Sequence, residues 1–152
     1  MIHYTIQGRP PTKKNSQRLV KVGGRLIPIP SKAYKEYEAK AFQYLQPRPE
    51  RPIEKPVELS CLYFLPRNKN GTIPKNCPDL VNLLEATQDI LVHYGILADD
   101  NSKIIKSVDG SRVFFTTAKP FTVIEIRELE EGEYEDPNRN KSEKTADDAA
   151  GM

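Results

Sequence analysis

Five carboxylates fall within 22 positions of this chain: Asp79, Glu85, Asp89, Asp99 and Asp100. They lie in a stretch whose charge is otherwise basic, since residues 1–127 carry 20 Lys and Arg against 12 Asp and Glu, a balance of +8. Carboxylates that converge beside a surplus of cations describe a hard divalent cation next to a polyanion. Mg²⁺ takes oxygen ligands, keeps several waters and shares its substrate's phosphate oxygens, so a few protein carboxylates are enough. Such an ion activates water for attack on a phosphodiester. The segment therefore reads as a nuclease site.

The elements that must position these residues can be read from the pattern around them. A helix is predicted from about Asp79 to Tyr94, with Gly95 as its C-terminal stop. On it Asn82, Glu85 and Asp89 stand at i, i+3 and i+7 and share a face, while Leu83, Leu84, Ile90 and Leu91 anchor the helix in a core. Asp79 stands at the helix start, where a carboxylate also serves as an N-cap. Asp99-Asp100 follow in a turn after Ile96-Leu97-Ala98, and taken alone they need be no more than that turn.

Upstream, Ile2, Tyr4 and Ile6 alternate with polar residues as a first strand. Leu19–Val22 and Arg25–Ile27 flank Gly23-Gly24 as a β-hairpin. Ser31 is placed as the N-cap of a helix running to about Gln46, with Tyr34, Tyr37, Ala41 and Tyr44 at helical spacing. Val57–Leu65 is the most apolar strand and is expected at the sheet centre. Ile104–Phe115 reads as extended chain broken at Asp109-Gly110. Phe121–Ile126 is a last strand, expected to pair with it across the Thr117–Pro120 turn. The basic residues expected to meet phosphates are Arg9, Lys13, Lys14, Arg18 and Arg25 on the early loop and hairpin, with Lys75 and Lys103 flanking the acidic segments.

Composition narrows the setting. No apolar run is long enough to span a membrane, and the first residues lack the regions of a secretory signal. Cys61 and Cys77 have neither metal nor disulfide-framework spacing, so reduced thiols in a cytoplasm are expected. There is no phosphate-binding Gly-x-x-x-x-Gly-Lys loop, no dinucleotide fingerprint and no partner that would make His3 or His93 part of a nucleophilic pair. No small-molecule cofactor is expected. Residues 128–152 carry 3 Lys and Arg against 9 Asp and Glu and too few apolar residues to bury, so an acidic, disordered tail is expected after a domain of residues 1–127.

Pro78-Asp79-Leu80-x-Asn82-Leu83-Leu84, a helix, and then Gly95-x-Leu97-x-Asp99-Asp100 with Ile104 beyond resemble the RusA family of Holliday junction resolvases. The strand, Pro10-Pro11 turn, basic Asn-containing loop and hairpin before Ser31 are similar to that family as well, over about residues 3–126. The resemblance implies a small, dimeric, Mg²⁺-dependent endonuclease of phage or prophage origin, acting on four-way or other branched DNA in a bacterial cytoplasm. The family pattern Asp-x-Asp-Asn-x-x-Lys is matched here at Asp79 and Asn82. Val81 stands for its second aspartate and Glu85 for its lysine, and the catalytic member of the Asp-Asp pair corresponds to Asp100.

Two readings of this departure compete. In one, Glu85 leans toward the helix start and supplies the missing carboxylate, so that Asp79, Glu85 and Asp100 hold Mg²⁺ (or Mn²⁺), with Asp99 as a further ligand or outer group and Asn82 and Asp89 as auxiliaries. In the other, the metal is lost and the protein binds junctions without cutting. The first is preferred, because a carboxylate gained where a lysine was lost is unfavourable without a cation nearby. A protein that acts through its acidic tail on a host partner is a third class. The expected fold is α+β, RusA-like, with a mixed, largely antiparallel sheet and two main helices on one face.

Overall fold

Alternation along Val57–Pro66 divides its side chains between two environments. Val57, Leu59, Cys61, Tyr63 and Leu65 are buried, while Glu58, Ser60, Leu62 and Phe64 between them are only half-buried. A strand with so apolar a face belongs in the middle of a sheet, covered on that side. The computed structural model, which describes residues 1–12 and 17–139, places it there.

The elements in chain order are β1 (Ile2–Gln7), β2 (Gln17–Val22), β3 (Arg25–Pro30), α1 (Lys32–Tyr44), β4 (Val57–Pro66), α2 (Leu80–His93), β5 (Ile105–Ser107), β6 (Arg112–Thr116), β7 (Phe121–Glu128) and the short α3 (Glu131–Tyr134). On one side of β4 lies antiparallel β7, in register from Val57↔Glu128 to Phe64↔Phe121. Beyond it lies β1, also antiparallel to β7. On the other side β5 and β6 both run parallel to β4, with Val57 opposite Ile105 and Leu62 opposite Arg112. Parallel neighbours cannot be joined by a tight turn. The connection from β4 to β5 is accordingly a crossover, and α2 forms it.

Both long helices cover the same face. Tyr34 and Ala41 from α1 join Leu83, Leu84, Ala86, Ile90 and Leu91 from α2 in one core with the buried side chains of β4. The hydroxyls of Tyr63 and Thr87 lie 2.6 Å apart and tie the middle of α2 to β4. On the opposite face Phe64 stacks on Phe121 and Phe114, with ring centroids 4.3 and 5.0 Å apart. The fold is α+β with a mixed, mainly antiparallel sheet. β2 and β3 pair only with each other, as a ribbon outside the main sheet. Gly23 and Gly24, at φ 58° and 80°, make its turn, a backbone that side-chain-bearing residues resist at both positions.

One expectation is corrected. β7 does not pair with β6 across residues 117–120: the two strands flank β4 on opposite edges. Each fills a free edge of the central strand, and this outweighs the short connection that suggests a hairpin. Residues 129–134 make contacts with the body. Leu129 N–H donates to Pro56 O at 2.9 Å, Glu133 pairs with Arg127 at 2.8 Å, and the Lys106 ammonium lies 5.8 Å from the centroid of the Tyr134 ring. Residues 140–152 lie outside the described part.

Tyr63→Phe removes the donor to Thr87, whose hydroxyl still reaches Leu83 O at 3.0 Å. It is expected to cost about 1 kcal/mol, read as a lowered urea midpoint with an unchanged m-value.

Candidate active site

Asp79 closes the loop that follows β4. Pro78 lines a small cavity with Leu65 and Pro66 from the end of β4 and Phe115 from β6, which puts Asp79 at the C-terminal edge of the parallel strands. Its extended backbone and its carbonyl, which accepts from Leu83 N–H at 3.1 Å, make it the N-cap residue of α2. Its carboxylate does not cap: no backbone N–H of α2 donates to it. Among the described residues it accepts only a long contact of 3.4 Å from Asn82 Nδ2. Ser31, at the same position of α1, does cap, with Oγ accepting from Tyr34 N–H at 3.1 Å. The capping explanation of Asp79 therefore falls, and an exposed carboxylate stands at a helix start with its charge unspent.

The other carboxylates divide by role. Asp99 is used up by its own turn, one oxygen accepting from Asp100 N–H at 2.7 Å and the other from Asn101 Nδ2 at 2.8 Å. Asp100 and Glu85 are exposed and have no hydrogen-bond or ion-pair partner among the described residues. Asp89 turns toward α1. The Tyr34 hydroxyl is held above its ordinary pKa chiefly by burial, and also by the nearby carboxylates of Glu38 and Asp89. Asp89 thus lies between the helices, away from Asp79.

The expected convergence of Asp79, Glu85 and Asp100 does not occur within one chain. Past the end of α2, Ile96 O accepts from Ile53 N–H, Ala98 N–H donates to Ile53 O, and Ile104 O accepts from Val57 N–H. The Asp99-Asp100 turn therefore stands where β4 begins, whereas Asp79 stands where β4 ends. Between them lies α2, 14 residues long and so about 20 Å from end to end. Among the described residues no three His, Cys, Asp or Glu side chains are grouped to hold a metal ion. The donor chemistry suits Mg²⁺, but the spacing in a single chain does not.

The cations divide in the same way. Arg9 lines an open cleft of about 450 Å³ together with Thr12, Ser31, Asn76, Cys77 and Pro78, and no carboxylate is among its lining residues. Lys75 is exposed in the loop just before it. Lys103 sits in the Asp100 turn, its N–H donating to Asn101 Oδ1 at 2.9 Å. Arg25 is exposed beside the hairpin turn. Lys13, Lys14 and the side chain of Arg18 lie outside the described residues.

The cleft was not foreseen, because Ser31 and Asn76 are far apart in sequence and only folding brings them together. Cys77 is exposed on its wall. Cys61 is buried under the helices, and burial pushes its thiol up to about 12, which keeps it protonated and unreactive at neutral pH.

Fold and site together describe a small α+β domain with an uncapped carboxylate beside a cleft that holds Arg9 at one sheet edge, a layout suited to a polyanionic substrate. The family model described as Endodeoxyribonuclease RusA matches residues 8–127 of the 152. The chain belongs to this family, and with it to the endonucleases of DNA. No curated protein matches the chain.

Because Asp79 caps nothing through its side chain, Asp79→Asn is expected to change stability by no more than about 0.5 kcal/mol. Ser31→Ala, which removes a real cap, is expected to cost about 1 kcal/mol. Urea unfolding of the two variants beside the parent checks both values.

Proposed function

We propose that this protein is a structure-specific endonuclease that resolves four-way DNA junctions by metal-dependent hydrolysis of phosphodiesters. The observation that carries the reading is the Asp79 carboxylate, exposed and uncapped at the start of α2, next in sequence to Pro78 on the wall of a cleft that holds Arg9 and no acid. Arg9 and Lys75 bind the strand near the bond to be cut, Arg25 on the ribbon holds a more distant phosphate, and Asp79 presents a hard oxygen ligand at the phosphate's edge. Contacts of this kind give affinity and salt dependence rather than sequence reading.

Mg²⁺, replaceable by Mn²⁺, is the cofactor this reading carries, and it would supply activation of water and charge neutralisation at the phosphate. Asp79, Asp100 and Glu85 are the residues for it. The working form is a homodimer, since two equivalent cuts in a two-fold junction call for a two-fold enzyme. The setting is a bacterial cytoplasm, with the chain encoded by phage or prophage. Asn82, whose amide leans on Asp79, orients that carboxylate.

A second reading has its own support. Val81 cannot bind a cation, and the described residues of one chain gather no three-carboxylate group, as a junction binder that does not cut would have it.

Cleavage of a labelled synthetic four-way junction separates the two. Paired, symmetric nicks are expected with Mg²⁺ or Mn²⁺, none with chelator, and none in linear duplex. Asp79→Asn is expected to lose at least about 100-fold in cleavage with junction affinity within about twofold. Salt-sensitive binding without nicks in either metal would establish the junction binder instead.

Occupancy of the cleft has an independent readout. Cys77 is exposed and Cys61 buried, so the native protein should take one maleimide, at Cys77. Saturating junction DNA is expected to slow that labelling at least about tenfold, and an unchanged rate would remove the cleft from the DNA path.

A further inference from the structure

The cleft beside Asp79 is walled by three separate pieces of chain. Residues 9–12 follow β1, residues 76–78 precede α2, and Ser31 and Ala33 open α1. Its volume of about 450 Å³ lies within the roughly 300–1,000 Å³ of sites that hold small molecules. It has room for a single nucleotide and not for a length of duplex.

The walls are set in advance. Pro10 and Thr12 are buried in the body. Arg9, Asn76, Cys77 and Pro78 also border a small cavity closed by Leu65 and Phe115, and Cys77 Sγ donates to Pro74 O at 2.9 Å. Little ordering is left for a ligand to impose.

The lining has the chemistry of a nucleotide site. Pro10, Pro11, Pro78 and Ala33 offer apolar surface, which suits the faces of a base. The Asn76 side chain has no hydrogen-bond partner among the described residues, and its amide carries both donor and acceptor for a base edge. Ser31 accepts from Tyr34 N–H and keeps its own hydroxyl hydrogen to donate. Arg9, also without a side-chain partner among the described residues, supplies the cation for a phosphate. No acid lines the cleft to oppose it.

We propose that this cleft receives one unpaired nucleotide of the DNA substrate, its base against the prolines and Asn76 and its phosphate on Arg9. The inference rests on the nuclease reading and names the part of the substrate that the cleft selects. In an open four-way junction the pairs at the branch point lack a stacked neighbour on one side. A base leaves the helix at less cost there than within a linear duplex. A pocket that must be filled in this way favours branched DNA over linear DNA. It also sets the path of the strand, since Pro78 on its wall is next in sequence to Asp79.

Fluorescence of 2-aminopurine tests this without cleavage. The chain has no Trp, so the base analogue emits against a dark background. Four-way junctions carry it at each branch-point position in turn, or within an arm, and are saturated with protein in chelator. At least one branch-point position is expected to brighten about fivefold as its base leaves the stack, with arm positions nearly unchanged. Ala33→Phe, altered at an exposed position on the cleft wall, fills the pocket. It is expected to abolish the brightening and to weaken junction binding about tenfold. An abasic nucleotide at the responding position is expected to restore this variant to wild-type affinity for the same junction, which a misfolded chain would not show.

Cys77 locates the base independently. A junction whose responding base carries a disulfide tether is expected to exchange with the Cys77 thiol, releasing the small thiol of the tether. One cross-linked species is expected, absent in Cys77→Ser, because Cys61 is buried. The proposal is overturned by any of four results: no brightening at the branch point, equal brightening in Ala33→Phe, no rescue by the abasic nucleotide, or cross-linking no faster than from a tether within an arm. Brightening that Ala33→Phe abolishes, in a protein that nicks no junction with Mg²⁺ or Mn²⁺, overturns only the nuclease reading. A wild type that binds no junction overturns both.

Discussion

Parallel pairing on one edge of β4 is the constraint from which most of this structure follows. A strand that must lie parallel to its predecessor cannot begin where the predecessor ended, so the chain has to travel back the length of the sheet first. α2 makes that journey, and its apolar face is held down by the buried side of β4. The length of the return journey fixes where the carboxylates stand. Asp79 departs from one end of the sheet, the Asp99-Asp100 turn arrives at the other, and no side chain is long enough to span the interval.

The same constraint sorts the cations. Arg9 and Lys75 belong to the departure end, Lys103 to the arrival end, and the ribbon of β2 and β3 extends separately with Arg25 near its tip. Charge that the sequence presents as one basic body is thus laid out in separate patches.

Much of the fold could be read directly from residue types. The alternation of Val57–Leu65, the capping Ser31, the Gly23-Gly24 turn and the Gly95 stop each have a local cause and each took its expected place. What escaped has non-local causes. Residues 117–120 are short enough for a hairpin, and only the competition for both edges of β4 decides that β6 and β7 are parted. Acidic composition over 128–152 likewise says nothing of the contacts that Leu129, Glu133 and Tyr134 make with Pro56, Arg127 and Lys106. At the site, helical spacing relates Asn82, Glu85 and Asp89 to one another but carries no information about residues beyond the helix, so the meeting of Asp79 with Asp100 could be supposed from their order and not tested by it. Whether Asp79 caps its helix is likewise a matter of rotamer, which residue type leaves open.

The pairing of β1 with β7 has a consequence for how the protein is made. Ile2 lies opposite Ile126 and Gln7 opposite Phe121, so β1 takes its place beside a strand synthesised more than a hundred residues after it. Until about residue 128 has emerged, Tyr4 and Ile6 have no sheet to join, and the edge of β4 that β7 will occupy stays open. Closure of this sheet therefore waits for β7. The nascent protein must keep an apolar strand and a bare sheet edge out of trouble while the intervening hundred or so residues are synthesised, on the order of ten seconds at common elongation rates.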